Sequence, residues 1–330
     1  MKKILVIPPM RWYMEAHIEY LIRYLSDEFF IEIAQVPYPP YKDFLKNPVN
    51  SPLMRSPDDY DLLWPILPTH WGIQDYKKYA SKVVLVLYEP GEGKWVEAKL
   101  IAGATPESQK TKLPNGKRTH KVRFGIDTEL FKPFPMLRED KLLHVGVVGS
   151  YLNPRRQVKD GIIPLINIPG VRIMFFPQNW VNNGGDLKQV GGDRFLKRVV
   201  AGDKYWPGLP NIYNRLDVLL RIDNSYGYSF PTLEAAACGV PVIVTHQGID
   251  HLITKAGGGI LIEAEGGGRW PVDERGKVLP NKLKEAIIYL RDHPRIRKSM
   301  GRAGRAEIEK NWTWPKQIPA WRRFFREALK

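Results

Sequence analysis

Cysteine is almost absent: Cys238 stands alone among 330 residues. A single thiol excludes an internal disulfide framework and any metal site built from several cysteines; it fits a reducing compartment, so the cytoplasm is the expected location. Long apolar runs are lacking too. The longest candidate, around residues 162–176, is interrupted by Pro164, Asn167, Pro169, Gly170 and Arg172, whereas a spanning helix needs roughly 20 mostly apolar residues. The run 4–7 behind Lys2 and Lys3 stops at Pro8 and Pro9, too short for a signal-peptide core and suited to a buried first strand. Neither a membrane span nor an export signal is expected. Acidic residues are scarce at one end, where residues 282–330 carry 14 Lys and Arg against 5 Asp and Glu and supply +9 of the net +15. Such a segment either meets an anionic partner or is a solvated helix face, and composition leaves both open.

What is present is enough apolar material for a core, 43% of the residues against 26% charged, and a length that suggests two domains. Short apolar runs at residues 4–7, 31–36, 62–67 and 83–87 alternate with helix-like stretches such as 16–25, the rhythm of a parallel sheet covered by helices. The rhythm restarts at 142–148 and continues at 171–176, 217–220, 242–244 and 259–262. Between the two series, Pro133 and Pro135 stiffen the chain, which places a boundary near residue 136. Residues 282–330 read as two or three basic helices, broken near Trp312 and Trp314 by Pro315 and Pro319.

The most informative stretch runs over residues 226–245. A loop of Tyr226, Gly227, Tyr228 and Ser229 leads through Phe230, Pro231 and Thr232 into a helix carrying Leu233 and Glu234, which Gly239 and Pro241 end before an apolar strand. A loop that delivers a helix start to a strand end offers amides and the positive end of the helix dipole to an anion, best a phosphate. Glu234, expected on the first turn, could accept hydrogen bonds from hydroxyls.

Residues 209–245 resemble the donor-site segment of glycosyltransferase family 4, the retaining group 1 enzymes of the GT-B fold. Residues 124–133, with Gly125, Asp127 and Pro133, are similar to that family's signature before the interdomain linker. The order of Asp292, His293, Pro294, Met300, Gly301, Arg302 and Trp312 is similar to its C-terminal helices. The resemblance implies an α/β chain of two tandem Rossmann-like domains with parallel sheets and an interdomain cleft. An acceptor-binding domain is expected over 1–136, a nucleotide-sugar-binding domain over 137–311, and a terminal helix over 312–330 that returns to the first domain.

The same resemblance assigns residues. Glu234 matches the second glutamate of a Glu-seven-residues-Glu motif and is implied to hold the ribose hydroxyls; the first falls on Tyr226, a phenol in place of a carboxylate. Gly227, Tyr228, Ser229, Phe230, Pro231, Thr232 and Leu233 are implied to face the sugar and diphosphate, and Gly208 and Leu209 the base, with Trp206 as a stacking partner. After the strand ending at Gly149, Ser150 stands where the family has an Arg, with Arg155, Arg156 and Lys159 close by to neutralise the leaving diphosphate. In the first domain, Arg11, Trp12, Tyr13 and Glu15 occupy the acceptor loop, with Trp12 and Tyr13 replacing two glycines, and His70 is a candidate at the reacting centre beside Tyr88 and Glu89.

The implied reaction moves a sugar from a UDP- or GDP-linked donor to a hydroxyl acceptor, with retained configuration, without a metal and without a cofactor. The acceptor would be a glycan or lipid-linked, with peripheral membrane contact through the basic C-terminus. Two alternatives share these residues: a transferase acting on a modified DNA base, with Trp12 or Tyr13 as a stacking platform, and a GT-B-like binding protein without turnover.

Overall fold

The computed structural model describes residues 1–7, 14–34, 56–66, 79–88, 98–106, 108–113, 119–136, 140–149, 161–177, 208–222, 228–245, 248–262 and 280–330. The chain divides into two units, one formed by Met1–Gly125 with Trp314–Lys330 and the other by Ile126–Thr313.

In the first unit, β1 (Lys2–Ile7) lies in parallel between β2 (Phe29–Ile33) and β3 (Leu62–Pro65). All four residues from Ile4 to Ile7 are buried, as expected of a parallel strand covered on both faces. The helix α1 (Met14–Leu25) connects β1 to β2. A second parallel set, β4 (Val84–Leu87), β5 (Leu100–Gly103) and β6 (His120–Lys121), is joined to the first by a parallel bridge from Leu63 to Val83. β5 is not expected from the sequence: its four residues sit between Lys99 and Ala104, too short a run to carry a period.

The last helix of the chain (Trp314–Ala328) completes this unit. Its buried face carries Trp314, Ile318, Trp321, Phe324 and Phe325. Trp314 stacks on Tyr20 at 5.8 Å, and Trp321 lies 5.1 Å from Trp64 and 5.3 Å from Phe124 between ring centres. The expected break falls at Trp312 and Thr313, between a helix that ends at Asn311 and this one, but Pro319 does not break the helix. Pro315 falls at the start of the helix, where a missing N–H costs nothing, and Pro319 is exposed within the early turns while the apolar face around it holds the helix in place. That face is part of the core, which leaves its aromatic residues unable to serve as a membrane anchor. Among the described residues no helix is long and apolar enough to cross a membrane.

The second unit is one parallel sheet in the order β11-β10-β9-β7-β8, built from β7 (Leu143–Gly149), β8 (Val171–Pro177), β9 (Val218–Arg221), β10 (Val242–Val244) and β11 (Gly259–Leu261). Counted within the unit this is the doubly wound order 2-1-3-4-5, whose winding reverses between β7 and β9. Helices α2 (Leu209–Asn214), α3 (Phe230–Ala237), α4 (Gly248–Lys255), α5 (Pro280–Asp292) and α6 (Pro294–Asn311) belong to this unit, and the terminal helix of the first unit is α7 in chain order.

Residues 126–136, assigned on sequence to the first domain, group with the second unit. Phe131 is buried against the ring of Tyr213. The Phe134 N–H donates to the Asn214 side chain at 2.9 Å, and Arg305 donates to the carbonyls of Thr128 and Phe131. The two prolines stiffen the segment, as read, but those bonds fasten it to the later half of the chain.

Candidate functional site

A doubly wound sheet binds ligands outside the carboxyl ends of its strands at the point where the winding reverses. Here that point lies between the ends of β7 and β9, at Gly149 and Arg221. Of the donor-site stretches read from sequence, one follows β7 in the chain and another follows β9. Gly149 closes β7; Ser150, Arg155, Arg156 and Lys159 follow it but lie outside the described residues, as do Tyr226 and Gly227. The chain after β9 re-enters at Tyr228, whose ring meets Phe230 at 4.7 Å, and starts α3 at Phe230.

The helix start is built as expected from sequence. Ser229 is the N-cap, and Pro231 occupies the first turn. The Ser229 hydroxyl pairs with that of Thr232 at 2.8 Å, and no side chain caps the backbone amides of this turn. The first intrahelical bond runs from the Leu233 N–H to the Ser229 carbonyl. The amides before Leu233 are therefore those that a helix leaves without an internal acceptor.

Glu234 departs from its expected placement. The helix begins at Phe230, which puts Glu234 in the second turn, 0% exposed. The Tyr213 hydroxyl donates to its Oε2 at 2.6 Å, a bond to a carboxylate that is stronger than a neutral one. Gly208 and Leu209, expected at the base, form the N-cap and first residue of α2, the short helix that carries Tyr213, and both are buried.

Three features of this site carried no signal in the sequence. Tyr213 is one. A second is Arg305 of α6, which donates to the Ala237 carbonyl at the C-terminal end of α3 as well as to the linker carbonyls of Thr128 and Phe131. The third is a buried ion pair at the end of β9, Arg221 Nε to Asp250 Oδ2 at 3.2 Å, with the side chains 8% and 0% exposed. Asp250 lies in the first turn of α4, so the pair ties the end of one strand to the helix after the next. Behind α3, the Cys238 thiol is held well above the usual thiol range, first by burial and then by the nearby Glu234 carboxylate.

In the first unit, Arg11, Trp12, Tyr13, His70 and Glu89, together with the side chain of Glu15, lie outside the described residues. Tyr88 is buried and its ring stacks on Phe124 at 6.2 Å, in the core.

Residues 185–322 match the family described as "Glycosyl transferase-like". Over 89 residues, 27% of this chain and 20% of the other, the sequence is 42% identical to a GDP-mannose-dependent monoacylated alpha-(1-6)-phosphatidylinositol monomannoside mannosyltransferase of Corynebacterium glutamicum. Over 161 residues, 46% of this chain and 35% of the other, it is 26% identical to a trehalose synthase of Pyrococcus horikoshii. The matched stretches span 20% and 35% of these curated relatives' own lengths. Among solved structures, sucrose-phosphate synthase from Thermosynechococcus elongatus is similar with a TM-score of 0.73 at 13% identity, covering 99% of both chains. Anabaena HepE in complex with UDP and glucose is similar with a TM-score of 0.69 at 15% identity, covering 99% of this chain and 100% of that one. The chain thus has the α/β GT-B fold with parallel sheets in Rossmann-like units, similar to the group 1 glycosyltransferases, and its residues 185–322 carry the glycosyl transferase-like pattern.

Proposed function

We propose that this protein transfers a sugar from a nucleotide diphosphate sugar to a hydroxyl acceptor, in the manner of the retaining family 4 enzymes and without a metal. The observation that supports the reading is that α3, the helix that follows β9 beside the switch point of the second sheet, starts without a side-chain cap and carries a fully buried glutamate. The structural likeness to HepE, solved with UDP and glucose, supports a nucleotide sugar as donor.

In this reading the α3 amides and the cations Arg155, Arg156 and Lys159 hold the diphosphate, and Glu234 accepts from the ribose hydroxyls. As the bond from the anomeric carbon to the diphosphate oxygen breaks, negative charge builds on the leaving group. Prearranged donors and cations stabilise that charge without reorganising. The acceptor oxygen bonds to the anomeric carbon on the face that the diphosphate leaves, and its proton passes to the leaving phosphate oxygen, so no side-chain base is required. The donor is UDP- or GDP-linked, with Tyr226 selecting among sugars because a phenol cannot accept two hydroxyls as a carboxylate does. The acceptor, a glycan or a lipid-linked sugar, is bound by the first unit through Arg11, Trp12, Tyr13 and Glu15, with His70 near the reacting centre, and the reaction belongs to the cytoplasm.

The test is a thermal-shift screen of the full chain against UDP, GDP and their sugar conjugates, because a ligand that binds only the folded state raises the melting temperature by mass action. At least one nucleotide sugar should raise it, and Glu234→Ala should remove both the shift and turnover. If Glu234→Ala retained the donor affinity and rate of the parent protein, the site assignment would be wrong.

A further inference from the structure

The Glu234 carboxylate does not choose its own orientation. A glutamate side chain has rotamer freedom that must be given up when it is ordered, and a ligand that meets a mobile carboxylate bears that cost on binding. Here the Tyr213 hydroxyl holds Oε2 at 2.6 Å with both residues fully enclosed. A phenol can hold a carboxylate in one place only if the ring itself is held. Three separate anchors do this. The ring packs against Phe131 at 6.1 Å. The next residue, Asn214, takes the Phe134 N–H and donates to the carbonyls of Lys132 and Pro210. Arg305 binds the Phe131 carbonyl and, with the same guanidinium, the Ala237 carbonyl at the far end of the helix that bears Glu234. The donor and the acceptor of the 2.6 Å bond are thus tied to one frame.

We infer that Tyr213 is a positioning residue: its hydroxyl presets the Glu234 carboxylate for the ribose of the donor nucleotide and thereby sets the preference for ribose over deoxyribose. This rests on the donor-site reading above. The inference concerns selectivity, because the phenol acts through the carboxylate it holds. Loss of its hydroxyl weakens only those ligands whose hydroxyl groups use the oriented carboxylate.

The experiment is calorimetric titration of the full chain with UDP and GDP and with their 2′,3′-dideoxy forms, which lack both ribose hydroxyls, for the parent protein, Glu234→Gln and Tyr213→Phe. The parent protein should favour a ribonucleotide, and Tyr213→Phe should weaken ribonucleotide binding about tenfold, the size of one buried hydrogen bond. Its deoxynucleotide affinity should stay unchanged, so that the ratio collapses. A general loosening of the fold would weaken both classes together and leave the ratio intact, which would overturn the inference. If Glu234→Gln loses the preference and Tyr213→Phe keeps it, the positioning role fails and the donor site stands. If the parent protein binds none of these nucleotides, both fail. Should Tyr213→Phe not fold, 3-fluorotyrosine at position 213 keeps the packing and makes the phenol a stronger donor. The ratio should then rise, and an unchanged ratio overturns the role.

Discussion

Arg221 and Asp250 place two charges where water does not reach. Removing one partner leaves the other charge buried without its counter-charge, which costs roughly 3 to 5 kcal/mol, whereas replacing both with apolar residues of similar volume costs far less. Urea unfolding of Asp250→Leu, Arg221→Met and the double variant that combines them should therefore show large single losses and strong coupling; additive losses would mean that the pair does not act as a unit. Cys238 allows a second check at this scale. Burial and the Glu234 carboxylate keep its thiol protonated, and only the thiolate is a competent nucleophile. Iodoacetamide at pH 8 should leave the folded protein unmodified and label it in step with unfolding; rapid labelling of the native state would contradict the burial. Individual residues were unequally legible beforehand. Glu234 could be picked out because helix, loop and strand signals all lie within 20 neighbouring positions, although its enclosure could not. Tyr213 is 21 positions from its partner, and Arg305 is 174 from Phe131. Pairings over such distances leave no local pattern.

Elements that carry the site are fixed by close backbone approach. At Gly301 of α6, a Cβ would stand 2.0 Å from the Gly239 carbonyl oxygen, and Gly239 itself has φ +73° in the turn that ends the α3 segment. One turn on, a Cβ at Gly304 would meet Ala236 at 3.4 Å, an ordinary contact. Gly301→Ala should thus push α6 away from α3 and destabilise by about 1 to 3 kcal/mol, while Gly304→Ala should be neutral or mildly stabilising, because alanine is favoured over glycine in a helix interior by up to about 1 kcal/mol. Equal effects of the two changes in urea unfolding would refute this packing. Strands with buried apolar runs, such as β1 and β7, were readable from composition because a parallel strand covered on both faces repeats apolar residues without interruption. The helix Trp314–Ala328 was misread at Pro319 because local rules count the lost hydrogen bond and miss the aromatic face that tertiary packing supplies.

At the scale of the molecule, α7 closes the first unit through Arg322 and Arg326, which bind Asp27 and Glu28 just beyond α1. Hydrogen bonds and charge from Arg326 and Arg322 hold the Glu28 carboxyl below the usual glutamate range, against the opposing effect of burial. A carboxyl lowered on folding adds stability above its unfolded value and loses it as the pH falls through the lowered one. Urea midpoints of the parent protein should therefore drop on acidification below the glutamate range, and Glu28→Gln should flatten that part of the curve; matching profiles would deny the linkage. Truncation after Thr313 should uncover Trp64 and Phe124 and leave the first unit unable to fold cooperatively, as near-ultraviolet circular dichroism would report.

The first unit is also discontinuous in sequence, because residues 126–313 intervene between its two parts. A ribosome releases this chain from the amino end, and domains generally fold as units. The later-starting unit is therefore the earlier to finish. The strands from β1 to β6 must wait, their aromatic side chains lacking α7, until residues 314–328 have been released. A chain interrupted before residue 314 would thus forfeit the fold of its opening part rather than of the segment just made.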